Sequence, residues 1–278
     1  MKIALSAEST CDLTKEILDE FNIKTLPYHI ILRDEEYLDG ENISSKELFE
    51  YVDKTGVLPK TAALTVGEYE DYFNNLLKTH DAVIHFSLSS NLTSSTNNAM
   101  IAGKNCGNVY VIDSKSLSTG IGLLCLSCRD KINQGLDAKE IVNQIQNEVP
   151  KVQASFIVNT LKYLHKGGRC SAVALLGANL LSIKPKISVV DGKMQVAKKY
   201  MGKLEIVLSK YVDELLSEGN INKKRVFLTY SSKPAGADKV KQKLIDYGFE
   251  NIYETQAGAT ICSHCGKDTL GVLFLREK

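Results

Sequence analysis

The 278-residue sequence contains no tryptophan, five prolines and no apolar run as long as a membrane-spanning helix. Such a helix needs about 20 consecutive apolar residues, so we expect no membrane span. Hydrophobic residues make up 44% of the chain, which argues against general disorder. The N-terminal MKIALSAEST lacks the apolar region and cleavage site of a secretory signal, so we expect a cytoplasmic protein.

Several nucleotide-binding and hydrolytic motifs are also missing. The sequence has no GxxxxGK[ST] loop, no glycine-rich dinucleotide fingerprint, no GxSxG and no HExxH. We therefore expect no cofactor and no phosphoryl-transfer machinery within this chain, and we expect no nucleic-acid partner.

The cysteines are odd in number, seven, and irregularly spaced, which is typical of reduced thiols. Two CxxC pairs, Cys125 with Cys128 and Cys262 with Cys265, suggest zinc, but they lie too far apart in sequence for a usual structural zinc site. Thioredoxin-like chemistry needs CxxC at a helix N-terminus, whereas CSHC leads into a turn and a strand. We therefore expect no metal at either pair.

The length favours two domains, an N-terminal α/β domain (1–153) and a C-terminal α/β domain (154–278) with a ligand cleft between them. Residues 1–150 contain 13 Lys and Arg against 22 Asp and Glu, a net charge of −9, while the remainder has 21 against 11, or +10. An anionic ligand in the cleft would explain this asymmetry, and so would simple attraction between the halves.

Strands and helices alternate in the N-terminal half, which predicts a mostly parallel sheet with flanking helices. TLPYHIIL reads as one strand, PKTAALT as a loop, and Asp12 or Thr10 as the cap of the first helix. The C-terminal half predicts an α/β layer with a β-hairpin, in which Asp191 and Gly192 form a type I′ turn.

Two hydroxyl-rich segments and one histidine are candidate anion ligands. Six Ser and Thr hydroxyls lie between Ser87 and Ser95, after a predicted strand and before a helix, whose N-terminus favours anions. Thr61 lies in a segment of similar character. TICSHCGKDTLG, which carries His264 and Gly266, is predicted to be a turn between two strands.

Six segments together resemble the DegV family of bacterial fatty-acid-binding proteins, the FakB-like subunits of fatty acid kinase. They occur in the family's order and spacing: AESTCDL, SSNLTSST, VYVIDSKSLSTGIG, LKYLHKGGR, IKPKISV and TICSHCGKDTLGV. The resemblance implies a two-domain DegV-like fold with a long-chain fatty acid in an apolar pocket. Its carboxylate would be bound by Thr61, Thr93 and His264, with Ser94, Ser95 and Gly266 as the supporting loop. The kinase subunit would contact Arg169, Lys198, Lys199 and Lys203.

The sequence departs from the family pattern at several of these places. Glu8 replaces the usual Asp at the end of the first strand, the glycine-rich ending around His264 is thinned, and Tyr200 stands where a basic residue is usual. A threonine at position 93 keeps the hydroxyl that carboxylate binding needs.

Three functional hypotheses follow. The first is a fatty-acid-binding protein that presents the carboxylate to a separate ATP-dependent kinase subunit for acyl phosphate formation. The second is a stand-alone hydrolase or transferase that uses His264 as a base and Thr93 or Ser94 as a nucleophile. The third is a metal or redox protein built on CSHC.

Overall fold

The computed structural model describes residues 1–170 and 183–278, which form three β-sheets and the helices packed against them. The first half contains β1 (Ile3–Glu8), α1 (Lys15–Glu20), β2 (Ile23–Leu26), β3 (His29–Leu32), β4 (Glu35–Leu38), α2 (Ser45–Thr55), β5 (Lys60–Ala62), α3 (Val66–Leu77), β6 (Ala82–Ser87), α4 (Ser95–Cys106), β7 (Val109–Asp113), α5 (Thr119–Asn133) and α6 (Ala138–Glu148). The second half contains β8 (Val152–Ile157), α7 (Lys162–Gly167), β9 (Ile183–Val190), β10 (Lys193–Met201), α8 (Leu204–Ser217), β11 (Ile221–Tyr230), α9 (Ala237–Tyr247), β12 (Ile252–Gln256), α10 (Ala259–Cys265) and β13 (Leu270–Arg276).

The first sheet is parallel throughout, in the order β2-β1-β6-β7, as the alternating pattern predicts. Every residue of β1 and β6 is buried, because helices cover both faces of the sheet. The loops that follow β1 and β6 leave the same edge of the sheet, so the hydroxyl-rich segment after β6 lies beside the segment after β1.

A small antiparallel sheet, β4-β3-β5, corrects the prediction for TLPYHIIL and PKTAALT. The first of these segments forms two strands in different sheets, because β2 ends immediately before Pro27, which has no N–H for a strand ladder. Thr61 lies in β5 rather than in a loop. Three short strands have too little sequence periodicity to be recognised individually.

The second large sheet is mixed, in the order β10-β9-β8-β13-β11-β12. Only the β11–β12 pair is parallel among its described pairings. Asp191 and Gly192 have φ of 48° and 78°, and they join β9 to β10 in the predicted hairpin. The α/β layer with a hairpin is therefore confirmed.

Side-chain caps begin both α2 and α1, and the cap predicted for α1 is wrong. Ser44 and Glu47 form a capping box on α2, and Gly56 ends that helix with φ of 70°. Thr14, not Asp12 or Thr10, caps α1. The Asp12 carboxylate instead bonds to groups far away in the sequence.

Helix α5 packs between the two large sheets, and its residues 119–128 are all buried. One hydrophobic core consequently contains side chains from both halves, such as Ile84, Leu124 and Phe227. The chain passes from one large sheet to the other through a short 3₁₀ turn, Val149–Lys151. The domain division after residue 153 stays a prediction. Within the two described ranges, no helix has both the length and the apolar character of a membrane span.

Candidate functional site

A cavity lies where the small sheet, the loop after β6 and the six-stranded sheet meet, and it contains about 980 Å³ of space free of protein atoms, including its mouth. Side chains from both halves of the chain line it. Its apolar wall includes Leu88, Leu92, Leu117, Phe156, Met194 and Leu273. The apolar wall is typical of a site for a small organic ligand.

Thr61 and His264 meet in the lining of this cavity. His264 Nε2 and Thr61 Oγ1 are 3.0 Å apart, although 203 residues separate them in sequence. His264 lies in α10, a seven-residue helix, and not in the predicted turn between two strands. That prediction is wrong because carboxylates distant in sequence satisfy the first N–H groups of α10, which no local pattern reveals.

Thr93 also lines the cavity, in a second hydrogen-bond network. The Tyr28 hydroxyl donates to Thr93 Oγ1 at 3.2 Å, and Thr93 Oγ1 donates to Ser95 Oγ at 3.1 Å. Ser95 Oγ accepts the N–H of Leu64 at 3.0 Å, so the network also fixes the chain after β5. Tyr28 is almost fully buried and was not among the residues predicted from sequence.

His264 is an uncharged imidazole at neutral pH. Burial, reinforced by the nearby positive charge of Arg169, lowers its pKa to about 4. Arg169 is the only permanently charged side chain among the described residues that line the cavity. Its Nη1 donates to the carbonyl of Gly167 at 2.8 Å. Gly167 must lack a side chain, since a Cβ there would come within 2.4 Å of His264 Nδ1.

The three residues predicted as the supporting loop, Ser94, Ser95 and Gly266, have different surroundings. Ser94 is exposed, lines the cavity and precedes α4 without a side-chain cap bond. Ser95 is buried and acts as an internal acceptor, as described above. Gly266 follows α10 with φ of 75°, and a Cβ there would lie 2.6 Å from Tyr163. Its conformation and its close packing both require glycine.

Behind Thr93, a buried carboxyl group holds the start of its loop. Glu8 is fully buried, accepts the Leu88 N–H at 2.8 Å and accepts the Tyr69 hydroxyl at 2.5 Å. Burial raises the pKa of Glu8 to about 7, despite these hydrogen bonds to the charged form. The pKa of Tyr28 is also raised, mainly by burial and secondly by the nearby charge of Glu8.

Neither cysteine pair forms a metal site in the described structure. Cys125 and Cys128 are buried in α5, and burial raises the pKa of both thiols. Cys262 and Cys265 lie in the middle and at the end of α10, so the helix N-terminus that would stabilise a thiolate is not beside them. Across residues 1–170 and 183–278, no three His, Cys, Asp or Glu side chains gather as metal ligands would.

The four residues predicted to contact a partner are all exposed. Arg169 lies at the cavity as well as on the surface. Lys198 pairs with Glu214 at 2.7 Å, whereas the Tyr200 hydroxyl donates to the same carboxylate at 2.5 Å. Tyr200 is therefore turned into the protein and packs on α8. Lys199 and Lys203 are exposed.

Residues 2–277 match the family described as "Uncharacterised protein, DegV family". A DegV domain-containing protein of Clostridium acetobutylicum is 30% identical over 280 residues, which cover 99% of both chains. The chain belongs to the DegV family. The resemblance seen in the six sequence segments is confirmed.

Solved DegV structures share the whole fold. DegV of Bacillus subtilis, described as a fatty acid binding protein, has a TM-score of 0.88 and 27% identity over 99% of each chain. A DegV family protein from Thermus thermophilus, whose structure is described by its fatty acid binding, has a TM-score of 0.91. It is 23% identical over 99% of this chain and 100% of its own, so that similarity establishes the fold alone.

Proposed function

We propose that this DegV protein binds one long-chain fatty acid, with the acyl chain in the apolar cavity and the carboxylate at Thr61, Thr93 and His264. The observation that carries the proposal is a cavity with a largely apolar wall in whose lining hydroxyls, a neutral imidazole and Arg169 come together. The description of Bacillus subtilis DegV as a fatty acid binding protein supports it.

The energetics match an amphipathic ligand. Each buried methylene contributes about 0.8 kcal/mol, so a chain of about fifteen contributes roughly 10 kcal/mol before the entropy costs of binding. Hydrogen bonds to a charged group contribute about 1.5–3 kcal/mol each, so a few donors are enough to select a carboxylate. Arg169 would supply the positive charge that pairs with the carboxylate. His264 stays neutral, so it adds no second cation beside Arg169.

We further propose that the protein presents this carboxylate to a separate ATP-dependent kinase subunit for acyl phosphate formation. Exposed Ser94 and Arg169 line the same cavity as half-buried Thr61 and Thr93, which supports a head group near the surface. Lys199 and Lys203 would extend a basic contact surface, and the absence of phosphate-binding motifs agrees with catalysis in a partner.

A stand-alone hydrolase is less well supported by the geometry. A general base must lie within hydrogen-bond reach of its nucleophile, and the described hydrogen bond of His264 is to Thr61. Thr93 bonds instead to Tyr28 and Ser95.

Native mass spectrometry of the full chain purified from cells tests the first step. We expect one bound mass equal to a long-chain fatty acid, lost on denaturation. The second step is tested by adding a fatty acid kinase catalytic subunit and ATP and measuring acyl phosphate. A protein that neither retains nor takes up any long-chain acid would overturn the proposal, and binding without phosphorylation would restrict it to lipid binding.

A further inference from the structure

Two buried carboxylates from the N-terminal half receive the first N–H groups of α10. Asp39 accepts from Ala259 at 2.7 Å and from Thr260 at 3.2 Å, and Asp12 accepts from Gly258 at 2.8 Å. Both side chains are almost fully buried, at 3% and 4% exposure. A helix of seven residues does not persist alone, so these bonds and its packing must hold α10 in place.

The small sheet contacts α10 at both ends. Asp39 directly follows β4 and bonds to the N-terminal end of α10, while Thr61 in β5 bonds to His264 near the other end. Strand β3 pairs with both β4 and β5, so one rigid unit carries both contacts. The distance between Asp39 and Thr61 therefore fixes the position of α10 along its own axis, and with it the position of His264.

Asp39 is itself held firmly. Ser9 Oγ donates to its carboxylate at 3.1 Å, and its backbone N–H donates to the Tyr28 carbonyl at 2.8 Å. Gly258 allows the close approach, because a Cβ there would lie 2.9 Å from Asp39 Oδ1.

We propose that Asp39 is a positioning residue that holds His264 against Thr61 in the lining of the cavity. Asp39 is not among the residues that line the cavity, and it acts through α10, with Asp12 as a second anchor. The consequence for ligand affinity rests on the proposed function. The effect on the His264 ring does not, because the hydrogen bond to Thr61 belongs to the protein itself.

The first test measures the imidazole ¹⁵N chemical shifts of His264 in the ligand-free full chain. Asp39→Ala should shift the His264 Nε2 resonance in the same direction as Thr61→Val, because both lose the Thr61 contact. Asp137→Ala is the matched control, since Asp137 likewise accepts two N–H groups, at the start of α6, outside the cavity. Identical His264 shifts in wild type and Asp39→Ala would overturn the proposal.

The second test measures palmitic acid affinity by displacement of a fluorescent fatty acid. We expect Asp39→Ala to weaken binding about tenfold, as the loss of one hydrogen bond to a charged group would, and Asp137→Ala to leave it unchanged. In a His264→Ala background, Asp39→Ala should have no further effect, because it acts through the missing ring. Independent, multiplying effects would contradict a positioning role.

Asp39→Asn keeps one acceptor oxygen and should recover most of the affinity and of the ring shift. If Asp39→Ala does not fold, this variant carries both tests, with a smaller shift in the same direction and about threefold weaker binding. A wild type that binds no fatty acid would refute the proposed function, and the ring measurement would still decide the role of Asp39.

Discussion

Thr61 and Thr93, the two hydroxyls proposed to bind the carboxylate, are supported in opposite ways. Thr93 lies in a network made within the N-terminal half and backed by Glu8, a buried acid. Thr61 bonds across the chain to His264, a buried base. Burial raises the pKa of the acid to about 7 and lowers the pKa of the base to about 4. Both environments thus disfavour local charge, so Arg169 is the group that would complement the charge of the proposed carboxylate.

The surroundings of Thr93 and Thr61 also differ in origin, since the first are made within one half of the chain and the second by contact between the two halves. The Thr93 network needs only residues of the first half, so we expect it to survive small shifts between the sheets. The Thr61–His264 contact needs β5 and α10 in register. Variants that disturb the Thr61–His264 contact should therefore change the chemistry performed on a bound ligand more than variants of the Thr93 network.

The largest expected effect is on phosphate transfer. His264→Ala should leave the acyl cavity intact but lower the rate of acyl phosphate formation about 100-fold, because misplacing a reacting group by about 1 Å can cost that much. The measurement compares acyl phosphate formation and fatty-acid affinity with a kinase subunit and ATP. Equal rates for wild type and variant would make His264 a bystander.

Glu8→Gln should alter the pH dependence of stability. The folded-state pKa of Glu8, about 7, exceeds the ordinary 4.5, so its contribution to the free energy of unfolding is present at low pH and is lost as pH rises from 4.5 through 7. Relative to Glu8→Gln, the wild type should lose roughly 2–3 kcal/mol between pH 5 and pH 8.

Urea denaturation of both proteins at the two pH values measures this difference. The comparison is needed because His264 and His85, whose pKa values are lowered to about 4 and about 3, act in the opposite sense. Their neutral forms stabilise the fold above pH 6.5, and that contribution is lost as pH falls. Parallel pH curves for wild type and Glu8→Gln would contradict the burial argument.

Thr61→Val and Thr93→Val should each weaken fatty-acid binding about tenfold or more without unfolding the chain, because each removes one hydroxyl from the carboxylate site. Displacement of a fluorescent fatty acid measures the affinities. Thr79→Val, away from the cavity, is the isosteric control. If both cavity variants bind as tightly as wild type, the carboxylate does not lie at these hydroxyls.

The smallest effect is expected from the thiols. Changing both CxxC pairs to serine should leave the bound ligand intact and release no metal. Stability should fall, because hydroxyls replace buried thiols in α5 and α10 and need hydrogen-bond partners there. Stoichiometric zinc in the wild type, lost together with the fold in the variant, would reverse this view.

Much of this arrangement could be predicted from local patterns. The parallel sheet followed from alternating strands and helices, and the hydroxyls around Thr93 were recognisable because they follow a buried strand. His264 was recognised by its residue type, but its helix was not. Helix α10 is short, and Asp12 and Asp39 stabilise it from more than 200 residues away.

The roles of Tyr28 and Glu8 could not be predicted from the sequence, for the same physical reason. Tyr28 follows the break between β2 and β3, and its role depends on Thr93, 65 residues later. Glu8 was visible as a departure from the family pattern, yet its contact with Leu88 spans 80 residues. Local periodicity predicts elements, whereas these contacts arise only when the sheets pack.

Carboxylate binding at Thr61, Thr93 and His264 can be tested by comparing the affinities of palmitic acid and hexadecanol. Both ligands fill the apolar cavity, and only the acid offers a charge to Thr61, Thr93 and Arg169. We predict that the wild type prefers the acid by about 100-fold and that the Thr61→Val/Thr93→Val double variant prefers it by less than about tenfold. Equal affinity of the wild type for the two ligands would contradict the account.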